Sequence, residues 1–277
     1  MRLAISNIAW ERADDPSVAG LLRRHSIDAI DIAPGKYFPE PALASEADIR
    51  DVKRWWSDQG IEITGMQALL FGTHGLNVFG TPDVRHALLR HLEAVCRIGG
   101  LLSAPRIVFG SPKNRDRSGL DENQALDAAV SFFQELGNIA AGHGVQICLE
   151  PNPVRYGANF MRNSDETATV VHAVAHPAIR MQLDTGALTL NDENIEQVLE
   201  AHSNIIGHIH ASEPDLVPLG DGATPHASMA RYIGRYLPQH LVTIEMVATK
   251  TEPALASIER AIGIATASYR IESGSAP

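Results

Sequence analysis

The sequence predicts an α/β fold closed into an eight-stranded parallel barrel, and three observations lead there. Short β-rich segments alternate with amphipathic helical ones along the whole chain, and eight strand candidates can be counted. No glycine-rich turn follows the first strand, as an open doubly wound sheet would have. The 277 residues are close to the length typical of such barrels, about 250.

The first strand candidate is RLAISNIAW (2–10), which carries at its end Asn7, a candidate polar contact for a pocket, and Trp10, which could form an apolar wall there or equally pack in the core. IDAIDIA (27–33) is the second, followed closely by Lys36. Ser45, Glu46 and Asp48 then open a helix that Gly60 ends. IEITGMQAL (61–69) is the third strand, with His74 beyond it at the mouth. The next helix starts at Thr81 and Pro82, and Gly99 is expected just past its end. RIVFGS (106–111) is the fourth strand. The loop after it carries Lys113, Arg115 and Arg117, which could grip a phosphate or carboxylate or simply be solvated.

The helix that follows ends near His143, and VQICLE (145–150) stops on Glu150. IRMQLD (179–184), IIGHIH (205–210) and LVTIEMV (241–247) complete the set, separated by helical stretches of suitable period. The turn GDG at 220–222 leads into the seventh helix, which His226 should begin. Cys148 and Gln182 should point inward with Glu150 and Asp184, filling a barrel layer. No linker or low-complexity run interrupts the pattern. The reading is one barrel domain over 1–272 and a frayed tail at 273–277.

Composition narrows the function. A 44% hydrophobic and 20% charged chain with formal net charge −10 and no basic cluster argues against nucleic acid as a partner. The two cysteines, Cys96 and Cys148, lack metal or redox spacing and read as reduced core thiols, which points to a cytoplasmic setting. The N-terminal apolar run is too short for a signal peptide, and no stretch reaches the roughly 20 residues of a membrane span. Apolar helix faces would allow a homo-oligomer, but the same faces are needed to cover the barrel.

Barrel active sites lie at the C-terminal ends of the strands. There the fifth strand carries Glu150, the sixth Asp184, the seventh His210 and the eighth Glu245, at spacings of 34, 26 and 35 residues. Each spacing is about one strand-helix unit, so four consecutive units present a metal-capable side chain at one height. Three carboxylates and an imidazole on a shared axis would repel one another, and a divalent cation removes that penalty. An oxygen-rich set with one nitrogen favours Mn²⁺, with Mg²⁺, Co²⁺ or Zn²⁺ as alternatives.

In CLEPNP, MQLDTGA, GHIHASE, PLGDG and TIEM the chain resembles the sugar isomerase/epimerase family of xylose-isomerase-like barrels. That family includes ketose 3-epimerases, hydroxypyruvate isomerase, inosose dehydratase and, more distantly, endonuclease IV. The resemblance implies one divalent metal on Glu150, Asp184, His210 and Glu245. It also implies a carbohydrate-like substrate that passes through a metal-stabilised enediolate, with Glu150 and Glu245 exchanging the proton. His208, two residues before His210, becomes a candidate for contact with substrate or support of a ligand. The chain departs from the ketose 3-epimerases at three sugar contacts: Ala187 stands where they have His, Leu216 where they have Arg and Tyr156 where they have Glu. A dehydratase or lyase acting on a keto-polyol is therefore the main alternative to an isomerase or epimerase. An endonuclease IV-like phosphodiesterase would need more histidine ligands, and a non-catalytic sugar-binding barrel would keep the site without turnover. Substrate contacts are expected at His208, Lys113, Arg115 and Trp10.

Overall fold

The computed structural model describes residues 1–270. The expected domain end at 272 and tail at 273–277 lie outside the described residues.

Eight parallel strands close into a barrel in sequence order. They are β1 (Leu3–Ser6), β2 (Ala29–Ile32), β3 (Glu62–Met66), β4 (Arg106–Phe109), β5 (Gln146–Leu149), β6 (Ile179–Asp184), β7 (Ile206–Ser212) and β8 (Val242–Glu245). Closure is made by β1 against β8, with Leu3 opposite Val242. The helices are α1 (Asp15–Arg24), α2 (Glu46–Asp58), α3 (Pro82–Leu102), α4 (Glu122–Gly142), α5 (Ser164–Val174), α6 (Thr185–Leu190), α7 (Ile195–His202), α8 (His226–Tyr236) and α9 (Ala254–Tyr269). α1 and the short α6 are additional to the helical stretches marked in the sequence.

Local chemistry explains these boundaries. Ser45 accepts from the Asp48 amide at the start of α2, Thr81 from Val84 at α3, and Asp121 forms a reciprocal capping box with Gln124 at α4. Gly60 follows α2 with φ +74, as a helix-ending glycine should. Gly99 does not follow α3 but lies inside it, and Ser103 takes the left-handed position instead. A Cβ at Gly99 would lie 2.9 Å from Ile107 Cδ1 and 3.0 Å from Met66 Cε. This glycine therefore lets the helix approach the sheet.

The first strand is shorter than expected. A 3₁₀ turn over Asn7–Ala9 ends it, with Ser6 Oγ accepting from the Ile8 amide at 3.4 Å. Two register shifts bear on the mouth and the barrel centre. One, between Met181 and Gln182, puts Asp184 opposite His210; the other, between Ile30 and Asp31, puts Asp31 opposite Gly65. The apolar core fills the space between strands and helices, while a polar layer of Asp31, Thr64, His208 and Thr243 lies buried among the strands. Cys96 and Cys148 are free and buried. Among the described residues, no helix is long and apolar enough to cross a membrane.

Candidate metal centre

Four consecutive strand ends converge at the mouth. Glu150, Asp184, His210 and Glu245 each offer one ligand atom, and the four atoms lie within 4.8 Å of one another. Asp184 closes β6 and caps α6: its Oδ1 accepts from the Ala187 amide at 2.6 Å, and the Ser212 hydroxyl lies 2.9 and 2.8 Å from its two oxygens. Glu245 Oε1 accepts from Gln67 Nε2 at 2.5 Å, and Glu150 Oε2 from Asn152 Nδ2 at 3.2 Å. His210 turns Nδ1 toward Glu150 Oε1 at 3.4 Å and Glu245 Oε2 at 3.3 Å. Gln182 braces β7 when its amide is oriented to donate to His208 O and to accept from both the His210 backbone amide and its ring Nδ1, each at 3.2 Å. Gly110 leaves room for the centre, because a Cβ there would collide with the Glu150 carboxylate.

The electrostatics are those of crowded buried acids. Burial, then Glu245 and Glu150, push the Asp184 carboxyl up to about 8. Burial alone would lower the His210 imidazolium, but Glu245 and Glu150 outweigh it and hold it well above the ordinary value. Glu245 stays below the usual range despite burial, because His210 and Gln67 favour its anion. Without a cation, protons on Asp184 and His210 hold the acids together. Three carboxylates and one imidazole nitrogen in this arrangement fit a divalent cation, which would release both protons.

The site floors a cavity of about 1050 Å³ walled by the loops after β3, β4, β5 and β7. His74 and Lys113 line it, as do Tyr156, Ala187 and Leu216. Other expected contacts, Asn7 among them, are not among its lining residues. Trp10 is buried, donates Nε1–H to Asp15 Oδ1 at 2.7 Å and packs edge-on to Trp56, because the chain has already turned away at Asn7. His208 lies one barrel layer below the floor, with its Nε2 2.6 Å from Asp31 Oδ2. Arg115 is only 1% exposed, so it stands behind the wall and not in the mouth. Burial pulls its guanidinium down to about 10 against the opposing field of Glu150, which leaves it cationic at neutral pH. Arg117 ties the β4 and β5 loops by donating to Asn159 O at 2.8 Å.

A model of the xylose isomerase-like TIM barrel family matches residues 20–265. The chain belongs to that family. In sequence it is 24% identical over 106 residues to D-psicose 3-epimerase of Ruminiclostridium cellulolyticum, a match spanning 38% of this chain and 36% of that protein. In structure it resembles D-psicose 3-epimerase with D-tagatose from Clostridium cellulolyticum H10, with TM-score 0.80, 18% identity and coverage of 97% and 99% of the two chains. It also resembles the IolI protein with a bound zinc atom, with TM-score 0.76, 17% identity and coverage of 97% and 98%.

Within this xylose isomerase-like barrel, sequence reasoning missed the residues that hold the three acids and the imidazole in place. Gln67, Asn152 and Ser212 are ordinary polar residues with no spacing that marks them. Glu213 was missed too. Its carboxylate accepts from the Gly220 and Thr224 amides at 2.9 Å each and lies 3.2 Å from His226 Nε2, fixing the loop that leads into α8. His226 does begin that helix, as its position implied.

Proposed function

We propose that this chain is a divalent-metal-dependent isomerase or epimerase of a small sugar, sugar phosphate or related hydroxy-ketone, with Glu150 and Glu245 as its acid/base pair. The observation that carries this reading is the convergence of four ligand atoms within 4.8 Å at the cavity floor. The donor set favours Mn²⁺, with Mg²⁺, Co²⁺ or Zn²⁺ able to substitute.

A cation held there would draw electron density from neighbouring substrate oxygens and acidify the carbon-bound proton between them. The chain supplies the rest. Glu150 follows β5 and Glu245 ends β8, so they flank the centre from well-separated strands of the ring. One carboxylate takes the proton from the substrate carbon and the other returns one, to the opposite face or to the adjacent carbon. Asn152 and Gln67 hold the two carboxylates in orientation, while Asp184 and His210 serve as ligands only. The epimerase relatives support the assignment, one of them with D-tagatose in its structure. The cavity is at the upper end of the range for small-ligand sites, roughly 300–1,000 Å³, so it has room for a phosphate near Lys113 as well as a sugar.

A second reading is favoured by one observation. Ala187, Leu216 and Tyr156 line the cavity, and none offers the charged grip that the resemblance would place there. A keto-polyol with a leaving group on the next carbon would then undergo elimination at the same acid/base pair.

Elemental analysis of wild type beside Asp184→Ala should give about one divalent ion per chain in the first and none in the second. The Mn²⁺-loaded protein in D₂O should then exchange a carbon-bound proton of at least one member of a ketose, ketose-phosphate and keto-polyol panel. An epimer supports the first reading and a deoxy-dicarbonyl product the second. Wild type that takes up no metal after Mn²⁺ loading would reject both.

A further inference from the structure

The cavity changes character with height. Its floor carries Glu150, Asp184 and Glu245, and its mouth carries Phe71, Tyr156 and Leu216. Among the described residues seven large apolar side chains are exposed, and four of them, Phe71, Val154, Tyr156 and Val247, stand on the loops that follow β3, β5 and β8 at this one end of the barrel. Apolar side chains scattered singly need no explanation, but a group of them around a cavity marks a surface that a ligand covers.

Phe71 is the barest of the four, at 88% exposed, and its loop holds it there. Leu69 and Leu70 before it are buried, while the Phe71 amide donates to Ala68 O and the Thr73 amide to Leu70 O, each at 3.1 Å. Ala68 at φ +53 and Gly72 at φ +80 close the turn that leaves Phe71 outside. The β7 loop fixes Leu216 as firmly. Asp215 and Leu216 are consecutive non-glycine residues at φ +61 and φ +54, a backbone that persists only where its surroundings over-determine it. Here Arg155 donates to the two Asp215 oxygens at 3.2 and 2.6 Å, the Asp215 amide donates to the Tyr156 hydroxyl at 2.7 Å, and the Val247 amide donates to Leu216 O at 2.9 Å. β3 and β7 are four strands apart in a closed ring of eight, so Phe71 and Leu216 line the cavity from opposite sides.

We propose that Phe71 and Leu216, with Tyr156 beside Leu216, form an apolar clamp for a second ring, and that the substrate is a keto-sugar joined to another sugar through a glycosidic bond. The inference rests on the proposed function and narrows its substrate class. The cavity, about 1050 Å³, matches those that enclose drug-sized ligands, so a single sugar at the metal centre would fill only part of it. A pyranose ring has C–H groups on its faces and hydroxyls around its edge. The faces suit a phenyl and an isobutyl wall, and the edge suits Lys113 and His74, which bring hydrogen-bond donors to the same cavity. A phosphate in that place would gain from Lys113 but nothing from Phe71 or Leu216.

The test is calorimetric binding to the Zn²⁺-loaded protein of D-fructose, fructose 6-phosphate and a panel of glucosylfructoses that differ only in linkage, with saturation-transfer spectra to show which ring the protein touches. At least one glucosylfructose should bind roughly 10-fold more tightly than D-fructose, with transfer to its glucosyl protons, and Phe71→Ala should abolish that advantage. The exposed side chain makes the variant safe for folding, which a thermal melt checks. No glucosylfructose binding more tightly than D-fructose overturns the proposal, as does fructose 6-phosphate binding more tightly than all of them, or an advantage that survives in Phe71→Ala. Sedimentation of wild type as a dimer and of Phe71→Ala as a monomer would overturn it too, by assigning the patch to a contact between copies. Deuterium exchange with the Mn²⁺-loaded protein separates the clamp from the reading beneath it: a glucosylfructose held by its glucosyl ring, with no proton exchanged in any ketose, leaves the clamp standing and removes the acid/base assignment.

Discussion

Glu150 reaches the centre past a residue that has no side chain. Because a Cβ at Gly110 would occupy the space of the Glu150 carboxylate, Gly110→Ala should displace that carboxylate without touching a ligand. Turnover is expected to fall by about 100-fold, since misplacing a reacting group by about an ångström has that effect, while the thermal melt stays close to wild type. Steady-state kinetics beside a melt will show whether the two separate. At this scale the four ligand candidates were legible, because metal-capable residues at the ends of consecutive strands are an unusual set. Asp31 left a signal that was available: a charged residue in the middle of IDAIDIA, where a barrel strand should be apolar. Gln67, Asn152 and Ser212 left none, since their roles exist only once the fold has brought distant loops together.

Among the elements, strand order and number were legible from periodicity, but the ends were set by contacts that sequence does not display. β1 stops at Ser6 because the Ser6 side chain accepts the Ile8 amide and turns the chain, which is why Trp10 packs against α2 and not into the pocket. α6 was missed because its cap is Asp184, a residue already read as a ligand. Gly99 was read as a stop and proved to be a packing surface. Gly99→Ala, which a helix would ordinarily welcome, should therefore destabilise the protein by about 1–3 kcal/mol through overpacking against Ile107 and Met66. A denaturant midpoint at or above the wild-type value would contradict that account. The two nearest contacts are side-chain tips and the third, the Ala104 carbonyl oxygen, is 3.3 Å away, so the lower end of the range is expected.

For the whole molecule, the centre links stability to pH. Asp184 has its folded pKa raised to about 8, so its ionisation costs stability that is lost progressively as pH rises from about 4 to about 8. His210, also raised, contributes stability present below its ordinary pKa and lost as pH rises through its folded value. The two effects have the same sign near neutrality. Metal-free protein should therefore melt at progressively lower temperature between about pH 6 and about pH 8, and the rise in melting temperature on adding Mn²⁺ should grow over the same range. Calorimetry with chelator and with Mn²⁺ checks both, and a metal-induced shift that shrinks with rising pH would count against the assignment. Asp31 and Glu245 act oppositely: both are held below the ordinary range, so what they contribute is lost only on acidification.

Asp184 joins the centre to a peptide group. Its Oδ1 accepts the Ala187 amide hydrogen at 2.6 Å. Whatever happens to that carboxylate, whether it gains a proton or binds a cation, changes the partner of one backbone N–H at the head of α6. The Ala187 amide resonance is therefore a natural probe of the site's occupancy, legible in a two-dimensional ¹H–¹⁵N spectrum of the ¹⁵N-labelled protein without a chromophore or a substrate.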